Sequence, residues 1–190
     1  METTTPILKS YKTKVLWVFV ISAIVIAFLP QGAMAAKPEM TKVEKFHSTK
    51  HLILQATIDP SNSGVELDPI AGGIVEIMNV DPEWRALSLK TANNLCSQLN
   101  AGAKKGKKGL TLAARKFATK YAQTKKEILD EAISDPTLTE EELFAVSFVI
   151  GADSTAIFYS ATMHICPKHR AMADVITDTY LDVFEGLYDY

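Results

Sequence analysis

The chain holds one pair of cysteines, Cys96 and Cys166, and its first residues indicate which compartment that pair meets. Lys9, Lys12 and Lys14 precede an apolar run from Val15 to Leu29, which Pro30 and Gly32 end ahead of the Ala33-Met34-Ala35 triplet. A basic start, a short apolar run and small residues at a cut site form the layout of a signal peptide. The run falls short of the roughly twenty residues a spanning helix needs. Cleavage is predicted after Ala35, the competing reading being an uncleaved N-terminal anchor. In an exported protein thiols are normally oxidised, so a Cys96–Cys166 disulfide is the default. It would close a loop worth roughly 4 kcal/mol in the chain-entropy account.

Without residues 1–35 the chain keeps 155 residues, enough for one domain with one core. Those first residues carry three lysines and one glutamate, and removing their +2 from the chain's −2 leaves −4. A mildly acidic balance gives no global reason to expect nucleic acid as a partner.

Helical periodicity dominates the rest. From Ala36 to Asp59 the pattern is divided: Val43, Phe46, Leu52, Ile53 and Ala56 suit a helix, whereas HLILQATI also passes as a strand; a helix is preferred. DPSNSGVELDP (59–69) collects turn formers, and GGIVEIMNV then reads as a turn or two of helix. Asp81 as cap and Pro82 at the first helical position open a clearer helix, with Trp84, Leu87, Ala92, Leu95, Cys96 and Leu99 on its stripe and Gly102 just past its end. AGAKKGKKG (101–109) is expected to be a flexible basic loop before a second amphipathic helix through Leu110, Ala114, Phe117, Ala118, Tyr121, Ile128, Leu129 and Ala132, ended by Asp135-Pro136. Thr139 and Glu142 form a capping box for a helix running to Cys166, apolar on nearly every side and so buried by its neighbours. Asp153, Ser147, Ser154, Ser160 and His164 interrupt it too often for a membrane span. Pro167 breaks it, and a last amphipathic helix runs from about Ala171 to Leu187.

This pattern predicts an all-α fold, a compact bundle of about four to five helices with one disulfide, preceded by a signal peptide. Residues 1–35 are the leader, 36–80 an N-terminal extension, 81–170 the disulfide-linked domain, and 171–190 an acidic helix packed on the bundle.

Few residues suggest chemistry. His164, Cys166 and His169 invite a metal or haem, but the spacing matches no zinc pattern, and a bonded Cys166 has no thiolate to give. His47 and His51 stand one helical turn apart, so a four-histidine site needs the N-terminal segment to fold against the bundle end; otherwise the histidines are solvated or capping. No G-x-S-x-G elbow is present, and GAKKGKKG lacks the order of a phosphate-binding loop. No enzyme activity, metal or cofactor is expected.

Charge is more informative. Between Lys104 and Lys126 lie nine Lys or Arg and no acid, whereas Asp174, Asp178, Asp182, Glu185 and Asp189 follow at helical steps with no base among them. These faces are either solvated surfaces that attract each other across the bundle, or the lysines Lys104, Lys105, Lys107 and Lys108 form a surface for an anionic envelope component or another protein.

The stretches ANNLCSQLNAG (92–102) and LTEEELFAVSFVIGADSTAIFYSATMHICPKH (138–169) resemble the small exported actinobacterial proteins of the domain of unknown function 732 family. The shared features are Cys96, Leu99 and Gly102, then Leu138, Thr139 and Cys166-Pro167. The resemblance implies a secreted helical domain pinned by the Cys96–Cys166 bridge, with no known activity or cofactor. The lysine-rich insert and the acidic helix after Cys-Pro depart from that pattern. The expectation is a non-enzymatic secreted or envelope protein acting by contact, with no stable membrane span after cleavage. The alternative is a carrier of a small ligand (haem, metal or an apolar molecule) in a pocket between helices.

Overall fold

In a computed structural model, residues 39–59 and 69–186 are described. The expected leader (1–35), most of the turn-rich stretch (60–68), and Leu187 and Asp189 lie outside the described residues. Six α-helices and no strand occur among the described residues: α1 (Lys42–Ile58), α2 (Pro69–Val80), α3 (Pro82–Ala103), α4 (Gly106–Ile133), α5 (Glu140–Ser160) and α6 (Ala173–Gly186).

Side-chain caps set three of the helix starts. Thr41 opens α1, its Oγ1 accepting from the Glu44 N–H at 3.2 Å while the Glu44 carboxylate accepts from the Thr41 N–H at 2.6 Å. Thr139 and Glu142 repeat the device on α5. Asp81 caps α3 by accepting from the N–H groups of Glu83 and Trp84, with Pro82 in the first turn. The basic segment differs from the expected flexible loop. Helix α3 continues through Gly102 to Ala103 and α4 begins at Gly106, so only Lys104 and Lys105 separate the helices.

Helix α5 is the axis. One side packs with Ile53 and Leu54 of α1 and with Ala71, Val75 and Met78 of α2, through Ala145, Phe148, Val149 and Ala152. The other side meets α3, α4 and α6, where Phe117, Tyr121, Phe158, Tyr180 and Phe184 form a chain of ring contacts with centroids 5.4–6.0 Å apart. The segment Glu140–Ile165 is long and apolar enough to cross a membrane, but 67% of its most apolar window is buried within the bundle, as the core helix of a folded domain requires. The predicted stripes hold in part: Val43, Leu52, Leu87 and Ile128 point outward, because each helix buries a narrower face than its run of apolar residues suggests.

Beyond Ser160 the central helix widens into a π turn, Ala161–Ile165, closed by the Cys166 N–H donating to the Ala161 carbonyl at 2.9 Å. Pro167 is the cause at the far end, since the residue before a proline is pushed out of helical geometry, and Cys166 sits at φ −132°, ψ 65°. A 3₁₀ segment, Pro167–Met172, then leads into α6, which starts at Ala173, two residues later than periodicity places it. Cys166 is bonded to Cys96 on α3, with the two Cα atoms 5.7 Å apart and a sequence separation of 70. Replacing both cysteines by alanine is expected to lower the unfolding free energy by roughly 4 kcal/mol, measured by urea titration followed by circular dichroism. An unchanged midpoint would show that the helices hold that geometry without the bond.

Candidate functional site

Three places bring chemistry-bearing side chains together: the histidine end of the bundle, a buried ionic centre, and the α3–α4 hairpin. The histidines do not converge. His164 Nε2 lies 2.7 Å from Thr49 Oγ1 on α1, whereas His169 Nε2 donates to Asn100 Oδ1 on α3 at 2.9 Å. His47 and His169 are buried, which corrects the expectation of solvated histidines. The Nδ1 atoms of His47 and His51 are buried without a hydrogen-bond partner. Among the described residues no group of three or more His, Cys, Asp or Glu is placed to hold a metal ion.

The ionic centre was not foreseen. Lys50 on α1 donates to Asp153 Oδ1 on α5 at 2.7 Å, the two side chains being 2% and 1% exposed. Lys125 on α4 is also buried, its ammonium 5.2 Å from the Tyr121 ring centroid. Burial lowers the Lys125 pKa; Asp153 opposes that shift and Lys50 adds to it. The Tyr121 phenol is pushed well above its ordinary value by burial first, then by Asp153. Three helices thus meet at one carboxylate with two lysines nearby. The sequence contains a signal for this: Lys125 shares the stripe Ala118, Ala122, Leu129, and Lys50 sits between Phe46 and Leu54, so both lysines occupy inward positions. An aspartate in a helix that is apolar all round needs such a partner. The centre is a structural clasp, its Lys50 and Asp153 side chains being almost wholly withdrawn from solvent.

The hairpin presents what the ionic centre hides. A Cβ on Gly102 would stand 2.6 Å from the Ala113 Cβ and 2.7 Å from the Gly109 carbonyl; one on Gly109 would meet the Gly102 carbonyl at 2.7 Å. Both positions therefore have to be glycine for the helices to lie this close. Gly106, at φ +77°, makes the reversal. Gly102 is thus a contact residue inside α3 and not the helix stop the sequence suggested. Lys104, Lys105, Lys107 and Lys108 all project into solvent around this tip, and Arg115, Lys116 and Lys120 are exposed further along α4. The start of α4 has no side-chain cap and no acid in its first turn, so its lysines add to the positive end of the helix dipole, unfavourably for the free helix and favourably for an arriving anion. Lys125 is buried and Lys126 pairs with Asp130, which removes both from this surface.

The basic face borders two open hollows. One, of about 510 Å³, is lined by Lys107, Lys108, Thr111, Leu112 and Arg115; the other, of about 420 Å³, by Arg115 with Val175, Asp178, Thr179, Asp182 and Val183. Although Arg115 shares the second hollow with two aspartates, it has no ion pair within 4.0 Å among the described residues. Partial burial, then the neighbouring Asp174 and Asp182, raise the Asp178 pKa above its ordinary value.

Two outcomes follow from the buried groups. Lys50→Met leaves the Asp153 carboxylate without its hydrogen-bonded cation and is expected to cost about 3–5 kcal/mol. Lys50→Met with Asp153→Leu and Lys125→Met is expected to recover most of that loss; urea unfolding of the single and triple variants measures both. Burial, then Arg85 and Lys50, lower His47 to about 4, and burial lowers His164 and His169 as well. The unfolded chain then binds more protons than the folded one below about pH 6.5, so stability is full above that pH and falls towards pH 4. A His47→Gln variant is expected to flatten this decline in urea midpoints taken from pH 7 to pH 4.

No protein-family model, curated protein or solved structure matches the chain.

Proposed function

We propose that this protein is an exported, non-enzymatic helical domain of the secreted or envelope-bound kind, acting by contact, and that its α3–α4 hairpin meets an anionic component of the cell envelope. The observation that carries the reading is the run of seven exposed Lys and Arg from Lys104 to Lys120, with no acid among them, on a hairpin fixed by two glycines. Such a surface attracts anions over several ångströms and is inexpensive to leave in water. Support also comes from the disulfide, which suits an oxidising compartment, and from the motifs shared with the domain of unknown function 732 proteins, among which we place the chain as part of the same proposal. Its lysine insert, absent from that pattern, is then the part that gives this chain its own partner. The carrier reading has less support, since the two hollows beside the basic face are open to solvent and have no histidine in their lining.

Retention of the exported chain on an immobilised anionic polymer such as poly(glycerol phosphate) tests the proposal. Binding at low salt is expected to fall at least tenfold at about 0.5 M salt, and equally when Lys104, Lys105, Lys107 and Lys108 are all changed to Gln. Retention indifferent to both salt and the substitutions would overturn it.

A further inference from the structure

The basic face carries one residue that electrostatics does not explain. Leu112 is 54% exposed, and it lies on α4 with Lys108 one turn before it and Arg115 and Lys116 one turn after. Single exposed leucines are common and carry no message alone. Here the side chain stands between cations along the helix, in the same hollow of about 510 Å³ as Lys107, Lys108, Thr111 and Arg115. Ile77, Val80 and Leu87 are comparably exposed on α2 and α3 but lie off the basic run, as do Ile128 and Ile133 towards the far end of α4.

Resting on the reading above, we infer that the anionic component is a phospholipid bilayer, with Leu112 entering the boundary between headgroups and acyl chains. The combination is selective. Lysines and arginines satisfy any anionic polymer, whereas a bilayer, with an apolar layer beneath its phosphates, also rewards a leucine placed among them. Charge sets the pose as well. Lys104, Lys105, Lys107 and Lys108 occupy the tip, whereas Asp178 and Asp182 of α6 share a hollow with Arg115 further along α4, so the tip is the part of this face free of acids and the part that meets headgroups first. The bond network that holds the bundle is not involved, because every residue invoked is on the surface.

The test is co-sedimentation of the exported chain, its N terminus read by mass spectrometry, with vesicles of phosphatidylcholine alone or with 30 mol% phosphatidylglycerol, a lipid fraction chosen at about the level where surface potential matters. Partitioning is expected to be at least tenfold greater on the anionic vesicles at low salt. Changing the four tip lysines to Gln is expected to reduce it on the order of a hundredfold. Leu112→Gln, an exposed change that preserves helix propensity, is expected to reduce vesicle partitioning about tenfold while leaving retention on poly(glycerol phosphate) unchanged. Undiminished vesicle binding by Leu112→Gln would overturn the insertion. Binding to the polymer with none to anionic vesicles would overturn the bilayer and leave envelope contact standing, whereas binding to neither would remove both.

Discussion

The carboxylate of Asp153 is the constraint around which this bundle is organised. A charge placed in the middle of the most buried helix has no water to solvate it, so the fold has to deliver a cation to that point. Lys50 arrives from the N-terminal helix and bonds the carboxylate, which ties that helix to α5 at one level, while the buried Lys125 of α4 feels the same charge from further off. Apolar faces alone would let either helix slide by a turn at modest cost. A buried ion pair makes such a slip expensive, so the charges specify register as much as they stabilise. The excess cation is accommodated by the face of Tyr121, which is itself locked into the aromatic chain through Phe158 and Tyr180.

Much of the fold was legible because its signals are local. Thr139 with Glu142 and Asp81 with Pro82 marked helix starts that the structure keeps, and the single cysteine pair foretold the bond between α3 and the end of α5. The N-terminal helix was ambiguous only when read from its apolar residues. Thr41 and Glu44 form the same capping box as Thr139 and Glu142, and they decide for helix over strand before any long-range contact is made.

Composition does not reveal what two backbones do when they come close. Gly102 and Gly109 read as loop residues, and the lysines between them as a flexible linker, because glycine and lysine are what loops contain. Their actual use is steric, letting α3 and α4 touch backbone to backbone. Lys50 and Lys125 were overlooked for the complementary reason: a lysine is presumed solvated until a buried acid is found to face it. Charge patterning marks the lysines of the hairpin but carries no information about the exposed Leu112 among them.

The glycine contact also has a thermodynamic meaning for recognition. Lysines on a slack loop would have to be ordered when they meet a partner, at a cost of backbone freedom residue by residue. Four lysines carried at the joint of two helices have already surrendered their backbone freedom during folding, although their side chains keep theirs. An anion meeting them would find their attachment points already spaced, so the backbone share of the entropic penalty would not be incurred again on contact.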